Sequence, residues 1–126
     1  MKKVTVVVRV LLGLTFLASG LVFFFTDPPP LEGAMAEFFE GMAATGYFFN
    51  LLKVTEILCG LALLTGFFVP LALVVLAPVV LNIVLVHAFM APEGLPLAIV
   101  IGVLVSYLAF FSKEYGPAIR ALFRPR

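Results

Sequence analysis

LLKVTEILCGLALLTG, residues 51–66, is apolar enough to lie in a lipid bilayer, yet it carries Lys53 and Glu56 near its start. A charge at the middle of a membrane helix costs about 2.5–3.5 kcal/mol even on lenient insertion scales. Two of them so close together demand a reason. Their spacing puts both side chains on one face of a helix. A neutralising pair there lowers the cost of burial without removing it. Whether this stretch is a membrane span therefore decides both the fold and where to look for function.

The rest of the chain makes the bilayer the expected solvent. It has 126 residues, room for one domain. Of these, 63% are hydrophobic and 12% charged, with a mean hydropathy of +1.23. A soluble domain is about 45–50% apolar and about 25% charged. A fold this small buries only about two-thirds of its unfolded surface and has nowhere to hide the excess. No basic patch interleaved with aromatics is present, so nucleic-acid binding is without support. Cys59 and His87 are each the sole residue of their type. That removes an internal disulfide, a CxxC pair and a cysteine-rich metal centre.

A membrane helix needs about 20 mainly apolar residues. Four runs qualify, at about 4–25, 47–65, 71–90 and 95–111. The MKK start resembles the charged region of a secretory signal. The apolar run behind it exceeds the roughly 7–15 residues of a signal core, and no small-x-small cleavage site follows, so an uncleaved helix is expected. Asp27-Pro28-Pro29-Pro30 is the predicted break after the first span, because proline removes a donor and restricts the residue before it. Glu37, Phe38, Phe39 and Met42 predict a short helix lying at the membrane interface. Gly66 is the predicted stop of the second span, GFFVP and APEG are turns, and Pro78 is expected to kink the third span. The expected fold is all-α: an integral membrane antiparallel four-helix bundle, one domain over residues 1–126, with a short interfacial helix between spans one and two.

Charge placement supports four spans independently. Both ends then share one side, which holds Lys2, Lys3, Arg9, Lys113, Arg120, Arg124 and Arg126. The other side holds Asp27, Glu32, Glu37, Glu40 and Glu93, with no Lys or Arg. The positive-inside rule puts both termini in the cytoplasm of a multi-pass inner-membrane protein.

Depth follows from the rise of about 1.5 Å per helical residue. Lys53 falls roughly 9 Å and Glu56 roughly 14 Å below the outer surface. On the third span His87 falls roughly 6 Å and Asn82 roughly 14 Å below it. Ser19 of the first span lies between these levels. Glu56, Lys53, His87, Asn82 and Ser19 are thus the expected site residues, lining one polar cavity in the outer half of the bundle. One feature resists: Asn82 and His87 are about 140° apart around an ideal helix. Both face inward only with help from the Pro78 kink or from side-chain reach.

Each residue also has a plainer reading. Lys53 and Glu56 are either a ligand or proton site or a structural ion pair. His87 is a ligand or an interface histidine reaching for water. Asn82 suits a bond to a neighbouring helix, and Ser19 a bond to its own backbone. Cys59 is expected to be inert in apolar surroundings, and Arg9 to reach the cytoplasmic headgroups. Gly13 with Gly20, and Gly102 with Ser106, suit close helix packing. The phenylalanines are expected to face lipid or to pack.

RVLLGLTFLASGL (9–21), LLKVTEILCGLALLTGFFVPLA (51–72) and NIVLVHAFM (82–90) resemble the DoxX family of small bacterial membrane proteins. The shared patterns are R-x-L-L-G-x-x-F-x-x-S-G and E-x-x-x-G-x-x-L-L-x-G. Arg9, Gly13, Ser19, Gly20, Glu56, Gly60 and Gly66 fall on them. Family members often have a lysine shortly after S-G-L; Val22-Phe23-Phe24 stand here instead, and Lys53 is the candidate to replace it. The resemblance implies a four-helix inner-membrane protein and a link to quinone or thiol redox complexes.

Two functions remain open at this level. One is a subunit of a redox complex with a quinone site. The sequence has no flavin fingerprint, and one cysteine and one histidine fall short of a cluster or a bis-histidine haem. Electrons would come from a partner subunit, and the chain is not expected to be an enzyme on its own. The other is a small proton-coupled carrier or binding protein using Glu56, with an assembly subunit lacking any ligand as the plainest variant. Expected partners are the lipid bilayer, a redox partner subunit and a second copy of the chain.

Overall fold

A computed structural model describes residues 2–26 and 30–125. Asp27, Pro28 and Pro29 of the predicted break, and Arg126 of the basic tail, lie outside the described residues. The chain forms α1 (Lys2–Phe25), α2 (Gly33–Ala44), α3 (Phe48–Thr65), α4 (Val69–Met90), α5 (Leu95–Ser106) and α6 (Gly116–Ala121). A 3-10 turn, Pro92–Gly94, leads into α5, and a π-helical turn, Tyr107–Phe111, continues it. Four segments are long and apolar enough to cross a membrane: Lys3–Phe25, Phe48–Thr65, Val69–Met90 and Pro92–Phe111. The bundle is therefore all-helical with four spans, and α2 is the short helix between the first two.

The helix ends follow from local chemistry. Gly66 ends α3 at φ 86°, donating its N–H to Ala62 O at 2.9 Å, the left-handed exit that glycine adopts without strain. Thr45 joins α2 to α3. Its hydroxyl donates to Met42 O at 2.7 Å and accepts from Phe48 N at 3.0 Å, so one side chain serves both helix ends. Pro78 stands on the exposed side of α4, and the helix continues through it.

Arg9 departs from its predicted place among the headgroups. Its guanidinium donates to Leu63 O at 2.7 Å and Leu64 O at 3.3 Å, and it packs on Gly66. The last carbonyls of a helix have no intrahelical donors and carry the negative end of the dipole. Arg9 is the cation that satisfies them for α3. The tail also departs from a simple basic extension. It folds into α6, where Ile119 is buried and the Arg120 guanidinium donates to Phe110 O.

α1 and α3 pack with almost no side chain between them. A Cβ on Gly60 would stand 2.6 Å from Leu17 N, and one on Gly13 would stand 2.7 Å from Leu64 N. A Cβ on Gly20 would meet Ile57 and Lys53 O. Small residues let membrane helices approach to backbone contact, which is where helix association in lipid draws its energy. Gly102 has a looser setting: a Cβ there would rest 3.7 Å from Val84, an ordinary contact, and Ser106 is exposed. The predicted tight packing at that pair is absent.

The core is lopsided. Val8, Leu12, Phe16, Leu63, Leu73, Leu76, Leu108 and Ile119 are buried together toward the end that holds both termini. Thr5 and Tyr107 are hydrogen-bonded there at 3.0 Å. The opposite, loop end holds fewer buried residues, and Lys53 and Ser19 lie toward it.

Candidate ligand site at the loop end of the bundle

α3 turns Lys53 and Glu56 inward toward α1. Glu56 is 3% exposed, the deepest ionisable side chain among the described residues. Its Oε2 stands 3.0 Å from Lys53 Nζ. That contact lacks hydrogen-bond alignment, and the oxygen has no hydrogen-bond partner among the described residues. The pairing is a contact of charges, with an acceptor site on the carboxylate left unfilled. Lys53 Nζ also donates to Ser19 Oγ of α1 over a long 3.4 Å and lies 6.0 Å from the centre of the Phe23 ring, within cation–π reach. Ser19 thus bonds across to Lys53 rather than back to its own turn.

Above Lys53 opens a groove of about 640 Å³ lined by Ser19, Val22, Phe23 and Thr26 of the first span, by Leu31, Ala36, Phe39, Glu40 and Ala43 around α2, and by Phe49 and Lys53 of α3. Its wall is a stack of three rings. Phe23 and Phe49 are 5.4 Å apart at 25°, and Phe49 and Phe39 are 5.5 Å apart at 21°. One ring comes from each of α1, α2 and α3, so the stack fastens the interfacial helix over the pocket. A mostly apolar cleft with a few convergent polar groups is the usual form of a small-molecule site.

Of the five expected site residues, the structure gathers Ser19, Lys53 and Glu56. His87 and Asn82 are elsewhere. His87 Nδ1 is 2.7 Å from Ile83 O one turn back. A carbonyl only accepts, so Nδ1 is the donor in this contact. The ring lies against Gly94, where an added Cβ would overlap it. Asn82 is exposed and has no side-chain hydrogen bond among the described residues. Val80, Ile83 and Val86 turn toward the bundle and carry Asn82 outward. The single five-residue cavity is thus corrected to a pocket between spans one and two under α2. The angular separation of Asn82 and His87 on one helix prevails: His87 is half-buried while Asn82 is exposed.

Sequence reasoning missed Phe23, Phe39, Phe49 and Glu40, having assigned the phenylalanines to lipid and packing. A signal was present: Phe23 follows Ser19, and Phe49 precedes Lys53, by four residues, so each ring shares a helix face with a polar site residue.

Four apolar spans define a multi-pass helical membrane protein in contact with the lipid bilayer. The DoxX family model matches residues 4–88, more than half of the chain, and the chain belongs to that family. The match covers α1 to α3 and most of α4, and so includes every residue of the pocket. Among curated proteins and among solved structures nothing matches the chain.

Proposed function

We propose that the chain binds a quinone-class ring in the loop-end pocket and serves as the membrane subunit of a redox complex of the bacterial inner membrane, with both termini cytoplasmic. The observation that carries this reading is the Lys53 ammonium, set between Ser19 and Glu56 beside the Phe23–Phe49–Phe39 stack. A quinone is a flat ring bearing carbonyl acceptors. The aromatic wall suits the ring, the ammonium donates to a carbonyl oxygen, and the apolar remainder suits a lipid-soluble body. Quinone reduction takes up electrons and protons together. Glu56, in contact with Lys53, is placed to pass a proton toward the pocket, and the electrons come from a partner subunit. The basic terminal side and acidic loop side support the orientation.

The test is extraction and chromatography of lipid-soluble molecules from protein purified in mild detergent. Quinone is expected with the unaltered chain and is expected to fall at least tenfold in Lys53→Met and in Phe39→Ala. Its absence from the unaltered chain, or retention in both variants, defeats the reading.

The unfilled Oε2 of Glu56 favours a second reading, a proton-coupled carrier. An ionisable side chain buried within the spans is a functional candidate by default, and proton-coupled carriers use such groups. Proton-coupled uptake into vesicles that Glu56→Gln abolishes, together with no bound quinone, selects the carrier. If Glu56→Gln changes neither assay, the chain is an assembly subunit without ligand.

A further inference from the structure

The outward face of α4 presents a different problem from the pocket. Leu71, Val74, Pro78, Asn82, Leu85 and Phe89 recur at helical spacing along it, and all six are exposed. Two of them leave polar groups unmatched. Asn82 offers two donors and an acceptor, roughly 14 Å deep by the helical rise, with no partner among the described residues. Pro78 has no N–H, so the carbonyl of Val74 one turn back lacks its helical donor on the same face. Membrane helices carry proline where neighbouring helices cover the freed group, and within this chain Pro78 and Asn82 both stand exposed. The hydrocarbon core has no water to serve in their place.

We propose that α4 pairs with α4 of a second copy of this chain, with Asn82 meeting Asn82 across the contact. Three observations select a second copy over another partner. The carboxamide is self-complementary, donor to acceptor and acceptor to donor, so two of them satisfy each other. A two-fold axis along the membrane normal brings every residue to its own depth, so the pairing is met without adjusting register. Val69–Met90 holds no Asp, Glu, Lys or Arg, so the face offers nothing to a charged partner. A lone asparagine in an apolar helix contact is also the established way to fix register and copy number. This pairing is independent of what the pocket binds, because Asn82 does not line the groove.

The test is disulfide trapping in liposomes over a range of protein-to-lipid ratios, in a Cys59→Ala background. Leu85→Cys, one turn from Asn82, is expected to form a covalent dimer. Leu58→Cys, exposed on α3, serves as the collision control and is expected to stay several-fold lower. Förster transfer between labelled copies is expected to show Asn82→Leu weakening the association about three- to tenfold, the size of one or two interhelical hydrogen bonds. Asn82→Gln is expected to recover part of it. The thermal midpoint in detergent is expected to stay unchanged, since the side chain is exposed and makes no hydrogen bond among the described residues. Equal trapping at Leu58→Cys and Leu85→Cys, a chain that stays monomeric at every ratio, or an association indifferent to Asn82→Leu each overturns the proposal.

Discussion

Lys53 and Glu56 illustrate why an ion pair within a bilayer is not by itself evidence of stabilisation. Removing one partner strands the other, whereas removing both together is close to neutral. Lys53→Met is therefore expected to lower stability in detergent by about 3 kcal/mol, because it leaves Glu56 buried without its partner. Lys53→Met combined with Glu56→Leu is expected to recover most of that loss. If the double variant is stable and still takes up ligand, the pair is structural only; if it is stable and takes up none, the pair belongs to the site. Arg9 makes a similar point at the other end of α3. Arg9→Leu is expected to cost about 1.5–3 kcal/mol, the range for a charged hydrogen bond to backbone. Arg9→Lys is expected to recover only part, because a single ammonium lacks the guanidinium fork. Thermal melts of the purified variants check both, and an unchanged midpoint for Arg9→Leu would remove the cap from the account.

At the scale of the helix, the α1–α3 contact is the most demanding. Gly13 and Gly60 are each pressed on a neighbouring backbone, where nothing yields as a flexible side chain does. Gly60→Val is expected to destabilise the chain by about 1–3 kcal/mol or to splay the two helices. Gly102→Ala meets only side-chain methyls at ordinary distance, and is expected to change the melting temperature little. Equal effects at the two positions would mean that backbone contact does not set the packing. Much of this level was legible in sequence. Length, hydropathy, Gly66 and the turn residues locate the spans, since each depends on neighbours along the chain. The role of Gly102 was not legible, because a small residue in an apolar helix reads the same whether a backbone, a methyl or a gap faces it.

For the whole molecule, the even number of spans and the separation of charges predict a topology that reporters can check. Alkaline phosphatase joined after Phe123 is expected to be inactive, and inserted at Glu93 in the turn before α5 to be active. The reverse pattern would invert the protein and put the pocket on the cytoplasmic side. The lopsided core also has a consequence at this scale. The terminal end, which holds most of the buried core, acts as the anchor, while the loop end is closed by α2 through stacked rings. Phe39→Ala is thus expected to speed hydrogen exchange within α2 while leaving α4 and α5 unchanged.

Sequence alone determined that this chain lives in a bilayer, that it crosses four times, and that Lys53 and Glu56 share a face, because hydropathy and helical period are local properties. It could not say which helices meet. Tertiary structure decided that Ser19 reaches Lys53, that Arg9 closes α3, that three phenylalanines from separate helices stack over the pocket, and that Asn82 faces outward. Depth along a helix can be counted from residue numbers, but azimuth relative to a neighbour depends on how the helices pack. In this chain that packing is set by glycines at the α1–α3 contact.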